Sequence, residues 1–215
     1  MVPQSAGFGL ISSNPTTGAT SPISRAAITA DQFYRNACKT LDPADEELFR
    51  FFCYDCEPFD KPQRNPVDLS WIRFGRGHPV YEERMRFYQE IAAMPFVALR
   101  RGAVKGRGWE IRESVTVQML ATPHAPAPLL ATDIKYAMEQ KGVDMRISMD
   151  FATLSLKRLV HRIILLSGDA DMVPAIKLAR REGIQVCVAQ VGTHGRLAPV
   201  LIEDADLVRT ITPVL

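Results

Sequence analysis

The stretch Ile163–Val191, IILLSGDADMVPAIKLARREGIQVCVAQV, decides the fold class. Four apolar residues in a row, Ile163 to Leu166, suit a central strand covered on both faces. After Ser167-Gly168 come two carboxylates, Asp169 and Asp171, with one small residue between them. Asp171 stands where an N-cap belongs, with Pro174 early in the helix that follows. Gly183 stops that helix before a second apolar run, Ile184–Val191. Strand, acidic turn, helix and strand predict a parallel α/β unit with its acids at the carboxyl end of a strand, where such sheets place ligand sites. Taken singly, Asp171 is explained as a cap and Asp169 as a turn residue. As a pair beside Gly168 they also form a nucleus for a hard divalent cation, which takes carboxylate oxygens and keeps several waters.

Just upstream, KGVDMRISMDF puts Asp144 at a predicted helix N-terminus, where a negative charge is favoured. Asp150 falls about 240° further round that helix, so Asp144 is the one assigned to the site and Asp150 is placed behind it or on the surface. The helix is expected to start at Val143–Asp144 and run through MRISMDFATLSLKRL. A final strand is expected near Leu207–Ile211.

Further out the pattern is mixed. Thr29 is a plausible N-cap for a helix from about Asp31 to Lys39, and Leu48–Tyr54 reads as a buried strand. Asp60–Val80 reads as a long loop, and Tyr81–Met94 as an amphipathic helix. Phe96–Leu99 and Trp109–Ile111 look like two strands around RRGAVKGRG. Val115–Leu120 alternates like a strand, and Ala131–Gln140 reads as a helix ended by Gly142. Residues 1–28 are expected to be a flexible or atypical segment, with Phe8–Ser12 its candidate strand, and residues 29–215 a single domain. Residues 1–24 hold no charged side chain and are rich in Ser, Thr, Gly and Pro.

The chain has 215 residues, 47% hydrophobic and 23% charged, with a net charge of +2. That balance excludes a strongly basic nucleic-acid binder but not a local basic surface. One such surface is RRGAVKGRGWEIR, where Arg100, Arg101, Lys105, Arg107 and Arg112 surround Trp109, the combination single-stranded RNA binding uses; a solvated hairpin explains it equally well. Four cysteines without a secreted-type framework, no membrane-length apolar run and no signal-peptide pattern predict a cytoplasmic protein. Cys53-Tyr54-Asp55-Cys56 lacks the second ligand pair a zinc site needs. His194 lies after the last long strand, in a Gly-rich loop.

Together, KGVDMRISMDFATL and IILLSGDADMVPAIKLARREGIQVCVAQV, within about Ala131 to Thr212, resemble the NYN domain, a branch of the PIN-like nuclease superfamily found in bacterial proteins. The resemblance implies a three-layer α/β/α fold with a mostly parallel central sheet. It implies a ribonuclease in which Asp144, Asp169 and Asp171 bind Mg²⁺ or Mn²⁺ and catalyse phosphodiester hydrolysis. Ser167 matches the polar residue preceding the acid pair, and Lys141, Arg107 and Lys135 are candidate phosphate contacts. The implied partner is RNA, single-stranded, with no membrane and a homodimer as the assembly considered. One feature departs from the family: its first strand normally ends in an Asp, often within D-G-x-N. Here GFGLISSNPTT offers Ser12, Ser13 and Asn14, and the first acid in the chain is Asp31. A catalytically impaired RNA-binding or regulatory module with the same fold is therefore the alternative. A haloacid-dehalogenase-like reading needs D-x-D-x-T on an early strand, which the sequence lacks.

Overall fold

The computed structural model describes residues 4–6, 28–121, 128–192 and 197–213. Its centre is β8 (Arg162–Leu165), in which Ile163, Ile164 and Leu165 are each 0% exposed. Adjacent residues of a strand point to opposite faces, so both faces of β8 must be covered. β9 (Gln185–Val191) pairs with it in parallel, Ile163 opposite Val186, and β10 (Leu207–Ile211) pairs in parallel with β9. On the other side lie β1 (Gln4–Ala6) and β2 (Glu46–Leu48), giving the order β10-β9-β8-β1-β2 with every neighbour parallel. β3 (Phe51–Glu57) follows β2 after two residues and pairs in parallel with β6 (Val97–Ile111), which pairs antiparallel with β7 (Ile134–Lys141). A small hairpin, β4 (Gln63–Arg64) and β5 (Trp71–Ile72), stands apart.

Helices cover both faces. Ala30, Phe33 and Ala37 of α1 (Ala30–Cys38) and Ile91 of α2 (Pro79–Ala92) pack with Ile164 and Leu166. On the opposite face, Ile147 and Phe151 of α4 (Val143–Leu156), Ile176 of α5 (Val173–Arg181) and Leu201 of α6 (Pro199–Asp204) pack with Ile163 and Leu165. The result is the expected α/β/α layering around a mostly parallel sheet. α1 begins with a capping box: Thr29 Oγ1 accepts the Gln32 N–H at 3.1 Å while Gln32 Oε1 accepts the Thr29 N–H at 3.0 Å.

Four expectations are corrected. Val97–Ile111 is one strand of 15 residues, not two strands around a hairpin, and its glycines serve a bulge at Gly106/Gly108. Val115–Leu120 lies in a helix, α3 (Glu113–Ala121), with no buried residue. Ala131–Gln140 is a short 3-10 turn, Ala131–Asp133, followed by β7, because pairing with β6 overrides its helix-favouring composition. The region read as a loop, Asp60–Val80, holds the β4–β5 hairpin and the start of α2. The candidate strand Phe8–Ser12 lies outside the described residues.

The amino ends of the parallel strands are pinned by a buried acid. Glu46, 9% exposed, receives Arg209 Nη1 at 2.7 Å and Arg209 Nη2 at 2.9 Å, and also pairs with Arg162. Arg209 Nη1 donates as well to the Thr40 carbonyl at 2.6 Å, and the Asp42 N–H reaches Glu46 at 2.7 Å. One carboxylate thus ties β2, β8 and β10. Removing it leaves two guanidinium groups partly buried and uncompensated, so Glu46→Ala is expected to cost about 3–5 kcal/mol, read from the urea unfolding midpoint. A loss under about 1 kcal/mol would show that the network is not a structural tie.

Candidate functional site

The opposite, carboxyl end of the sheet gathers acids. β8 ends at Leu165, and the chain leaves the sheet through Ser167 and Gly168. Asp169 then caps the 3-10 turn Ala170–Met172, its carboxylate accepting the Asp171 N–H at 3.0 Å. Ser167 Oγ accepts the Asp169 N–H at 3.2 Å. The cap is therefore Asp169, not Asp171 as the sequence suggested. The Asp171 carboxylate is exposed and without a hydrogen bond among the described residues.

Asp144 arrives from a different element. β7 ends at Lys141, Gly142 turns the chain at φ +82°, and α4 starts at Val143. Only glycine adopts that backbone without strain. Gly102 of β6 matters for another reason: a Cβ there would lie 2.5 Å from the Lys141 carbonyl oxygen. The close approach of β6 to the end of β7 thereby fixes where α4 begins. Asp144 falls in the first turn, next to the Ala170–Met172 turn, and its carboxyl is held above the ordinary carboxylate range. Burial is the first cause, and the charges of Asp169 and Asp171 are the second and third. Asp144, Asp169 and Asp171 therefore act on one another across two elements.

The charges of Asp169 and Asp171 reach Asp144, and none of the three carboxylates has an ion-pair partner among the described residues. Oxygen ligands of this kind suit Mg²⁺ or Mn²⁺. Among the described residues no three acid, His or Cys side chains stand as a ready-made metal cage. Water would complete the shell, as it ordinarily does for Mg²⁺.

The expected substrate contacts fare differently. Lys141 and Arg107 both pair with Glu139, so one carboxylate occupies two candidate phosphate contacts. The basic cluster around Trp109 is largely neutralised: Arg100 meets Asp150 at 3.1 Å and Arg101 meets Glu57 at 3.0 Å. Arg112 Nε donates to the Thr132 carbonyl at 2.8 Å, and Lys135 lies 3.9 Å from Glu110. Trp109 itself packs edge-on against Tyr136. Asp150 also accepts the Tyr54 hydroxyl at 2.6 Å, an anchor between α4 and β3 outside the acid group.

Other candidates sort simply. Cys53 and Cys56 point to opposite faces of β3, each into a different half of the core, so they cannot share one metal. Asp31 pairs with Arg35 on α1. Ser12, Ser13, Asn14 and His194 lie outside the described residues. Burial first pushes the Cys56 thiol up, with the charge of Asp144 also raising it and that of Arg146 lowering it; Arg146 is exposed on the first turn of α4. It has no ion pair among the described residues. Its one sequence signal is its place two residues after Asp144.

The NYN domain's sequence model matches residues 112–212, the stretch that supplies every acid of the site. Over 71 residues the chain is 35% identical to the uncharacterized protein y4oD of Sinorhizobium fredii, a match spanning 32% of this chain and 32% of that protein. The chain thus covers about a third of the length of this curated relative. A crystal structure of a protein of unknown function from Vibrio parahaemolyticus aligns over 97% of this chain and 92% of that one, with a TM-score of 0.48 and 14% identity. No helix among the described residues is long and apolar enough to cross a membrane. Residues 112–212 of this chain thus carry the likeness to the NYN domain, a branch of the PIN-like nuclease superfamily.

Proposed function

We propose that this chain is a Mg²⁺- or Mn²⁺-dependent ribonuclease whose reacting centre is Asp144, Asp169 and Asp171. The observation that carries the reading is the convergence of Asp144, in the first turn of α4, on the turn that carries Asp169 and Asp171, where burial first and the charges of those two second hold its carboxyl up. Acids brought together from separate elements so that one of them is costly to ionise are typical of functional sites and unhelpful to stability. The chemistry a divalent cation supplies at such a site is activation of water and neutralisation of charge on the phosphate. The chain's own part is to hold and orient. Asp169 and Asp171 are set by the Ser167 and Asp169 hydrogen bonds, and Asp144 by the β7–Gly142–α4 turn. Lys141 and Arg107 exchange Glu139 for phosphate when RNA arrives.

A specific observation supports the alternative, an RNA-binding module without cleavage. β1, Gln4–Ala6, is the strand between β8 and β2, and no carboxylate occurs in the sequence before Asp31. Labelled single-stranded RNA incubated with Mn²⁺ separates the two readings. Cleavage is expected, and Asp169→Asn should slow it at least about 100-fold, since outer-shell changes alone cost 10–100-fold at metal sites. Binding without cleavage by the parent chain would decide for the module.

The acid group also predicts a stability signature. Because the folded state raises the Asp144 pKa, its charge costs stability above the ordinary carboxylate range, and the cost disappears as pH falls below that range. In EDTA at pH 7, Asp144→Asn should raise Tm by about 1 °C, the scale of a relieved like-charge contact, with no gain at pH 3. Saturating Mn²⁺, at about 100 times its Kd, should raise the parent Tm by about 5–10 °C, a rise Asp144→Asn largely loses. Equal Mn²⁺ shifts in both proteins would remove Asp144 from the site.

A further inference from the structure

The β4–β5 hairpin and the segment after it present a tryptophan to solvent from a rigid support. Trp71 is 64% exposed, yet the turn that carries it is closely tied. Asn65 is 3% exposed; its amide donates to the Ala131 carbonyl at 3.2 Å and its Oδ1 accepts the Val67 N–H at 2.9 Å. Asp68 accepts both the Ser70 N–H and its hydroxyl, at 3.0 and 2.7 Å. Arg64, opposite Trp71 in the ladder, donates to the Leu69 carbonyl at 3.2 Å. Phe59, Phe74 and Tyr136 form an aromatic cluster, with ring centroids 5.5 to 6.0 Å apart, and Phe74 shares a cleft with Trp71. An exposed indole held by so tied a turn offers a face to another flat ring.

Charge around it has the right sign and is unspent. Arg73 and Arg76 are exposed, have no ion pair among the described residues, and line with Trp71, Pro62 and Phe74 a cleft of about 400 Å³. A second cleft of about 500 Å³ adds Lys61 and Lys105, also without ion pairs among the described residues. Asp60 lines both clefts, and Glu57, already paired with Arg101, lines the second. This contrasts with the arginines of β6, which are matched to acids or carbonyls.

We infer that this surface is a binding platform for single-stranded RNA, with a base stacked on Trp71 and the flanking phosphates met by Arg73 and Arg76. The platform deepens the ribonuclease reading, on which the identity of its polyanion rests. Trp109 and Tyr136 are paired on β6 and β7, as are Ala103 and Lys141. Tyr136 of the aromatic cluster lies five residues before Lys141 on β7, about 17 Å along the strand from the end that leads to Asp144. The platform therefore grips the strand several nucleotides from the cut and governs binding, not the chemical step. Aromatic stacking is indifferent to base identity, so weak sequence preference is expected.

The test uses the full chain in EDTA, where no cleavage occurs, with a fluorescein-labelled oligouridylate of about 12 nucleotides and a duplex of equal length. Trp71→Ala should weaken single-strand binding about tenfold, from a stacking contribution of 1–3 kcal/mol per base, and Trp71→Phe should recover most of it. Arg73→Ala/Arg76→Ala should flatten the dependence of log K on log salt by about 1.4, for two phosphate contacts on a single strand. In Mn²⁺ Trp71→Ala should raise KM and leave kcat unchanged. If the parent binds and cleaves while the Trp71 and Arg73/Arg76 variants bind equally well, the platform is overturned and the ribonuclease reading stands. Equal affinity for the duplex overturns the single-strand assignment. A parent that binds no oligonucleotide, as a protein-docking tip centred on exposed Leu69 would behave, overturns both.

Discussion

A strand with no solvated side has to be covered twice, and in this protein that strand is β8. Ile163 and Leu165 go to one half of the core, Ile164 and Leu166 to the other. Each such side chain contributes about 1.5–3 kcal/mol when fully buried, so the two helical layers follow from four residues. The connections do the rest. A chain that leaves β8 at its carboxyl end, crosses one face as α5 and returns as β9 must put its first turn beyond the sheet edge, and that turn is Ser167–Asp171. The other end is closed by Glu46 and its two arginines. Stabilising charge is thus concentrated where the strands begin, and mutually repelling charge is left where they end.

That division explains which parts of the molecule were legible in the sequence. The β8–α5–β9 unit was readable because an apolar run, a helix-stopping Gly183 and a second apolar run are local signals. Asp169 and Asp171 were readable because they punctuate that pattern, and Asp144 because it follows a glycine at a helix start. The exchange of helix and strand between Glu113–Ala121 and Ile134–Lys141 was not readable. The composition of KYAMEQ favours a helix, and VTVQ alternates like a strand. What decides both is the fifteen-residue β6, which pairs with β3 on one edge and needs a partner on the other. Its glycines look like a hairpin turn in sequence and serve instead as a bulge and as the close approach at Gly102.

Charge pairing was equally hidden. Arg100 finds Asp150 fifty positions away and Arg107 finds Glu139 across the β6–β7 ladder. A basic run such as RRGAVKGRG is therefore no measure of the positive surface that remains. In a chain with a net charge of only +2, the relevant cations are those the fold leaves unmatched. Arg73 and Arg76 beside Trp71 are such cations, and neither was prominent in the linear pattern.

The absent first-strand acid bears on affinity for the cation before it bears on chemistry. Three carboxylates around one divalent ion leave a net charge of −1, where four would leave −2. Ligand charge count sets how tightly a hard cation is held, so the smaller count weakens retention. It also lowers the repulsion an incoming phosphate meets at the centre, because that repulsion scales with the product of the charges. The two effects oppose each other. On the proposed ribonuclease reading, a site with Asp144, Asp169 and Asp171 alone would be one whose occupancy follows the free cation concentration, and whose substrate affinity leans on cations elsewhere on the surface. The difference between an active nuclease and a binding module would then lie in how far the cation occupies the site, not in the fold, which is the same in both.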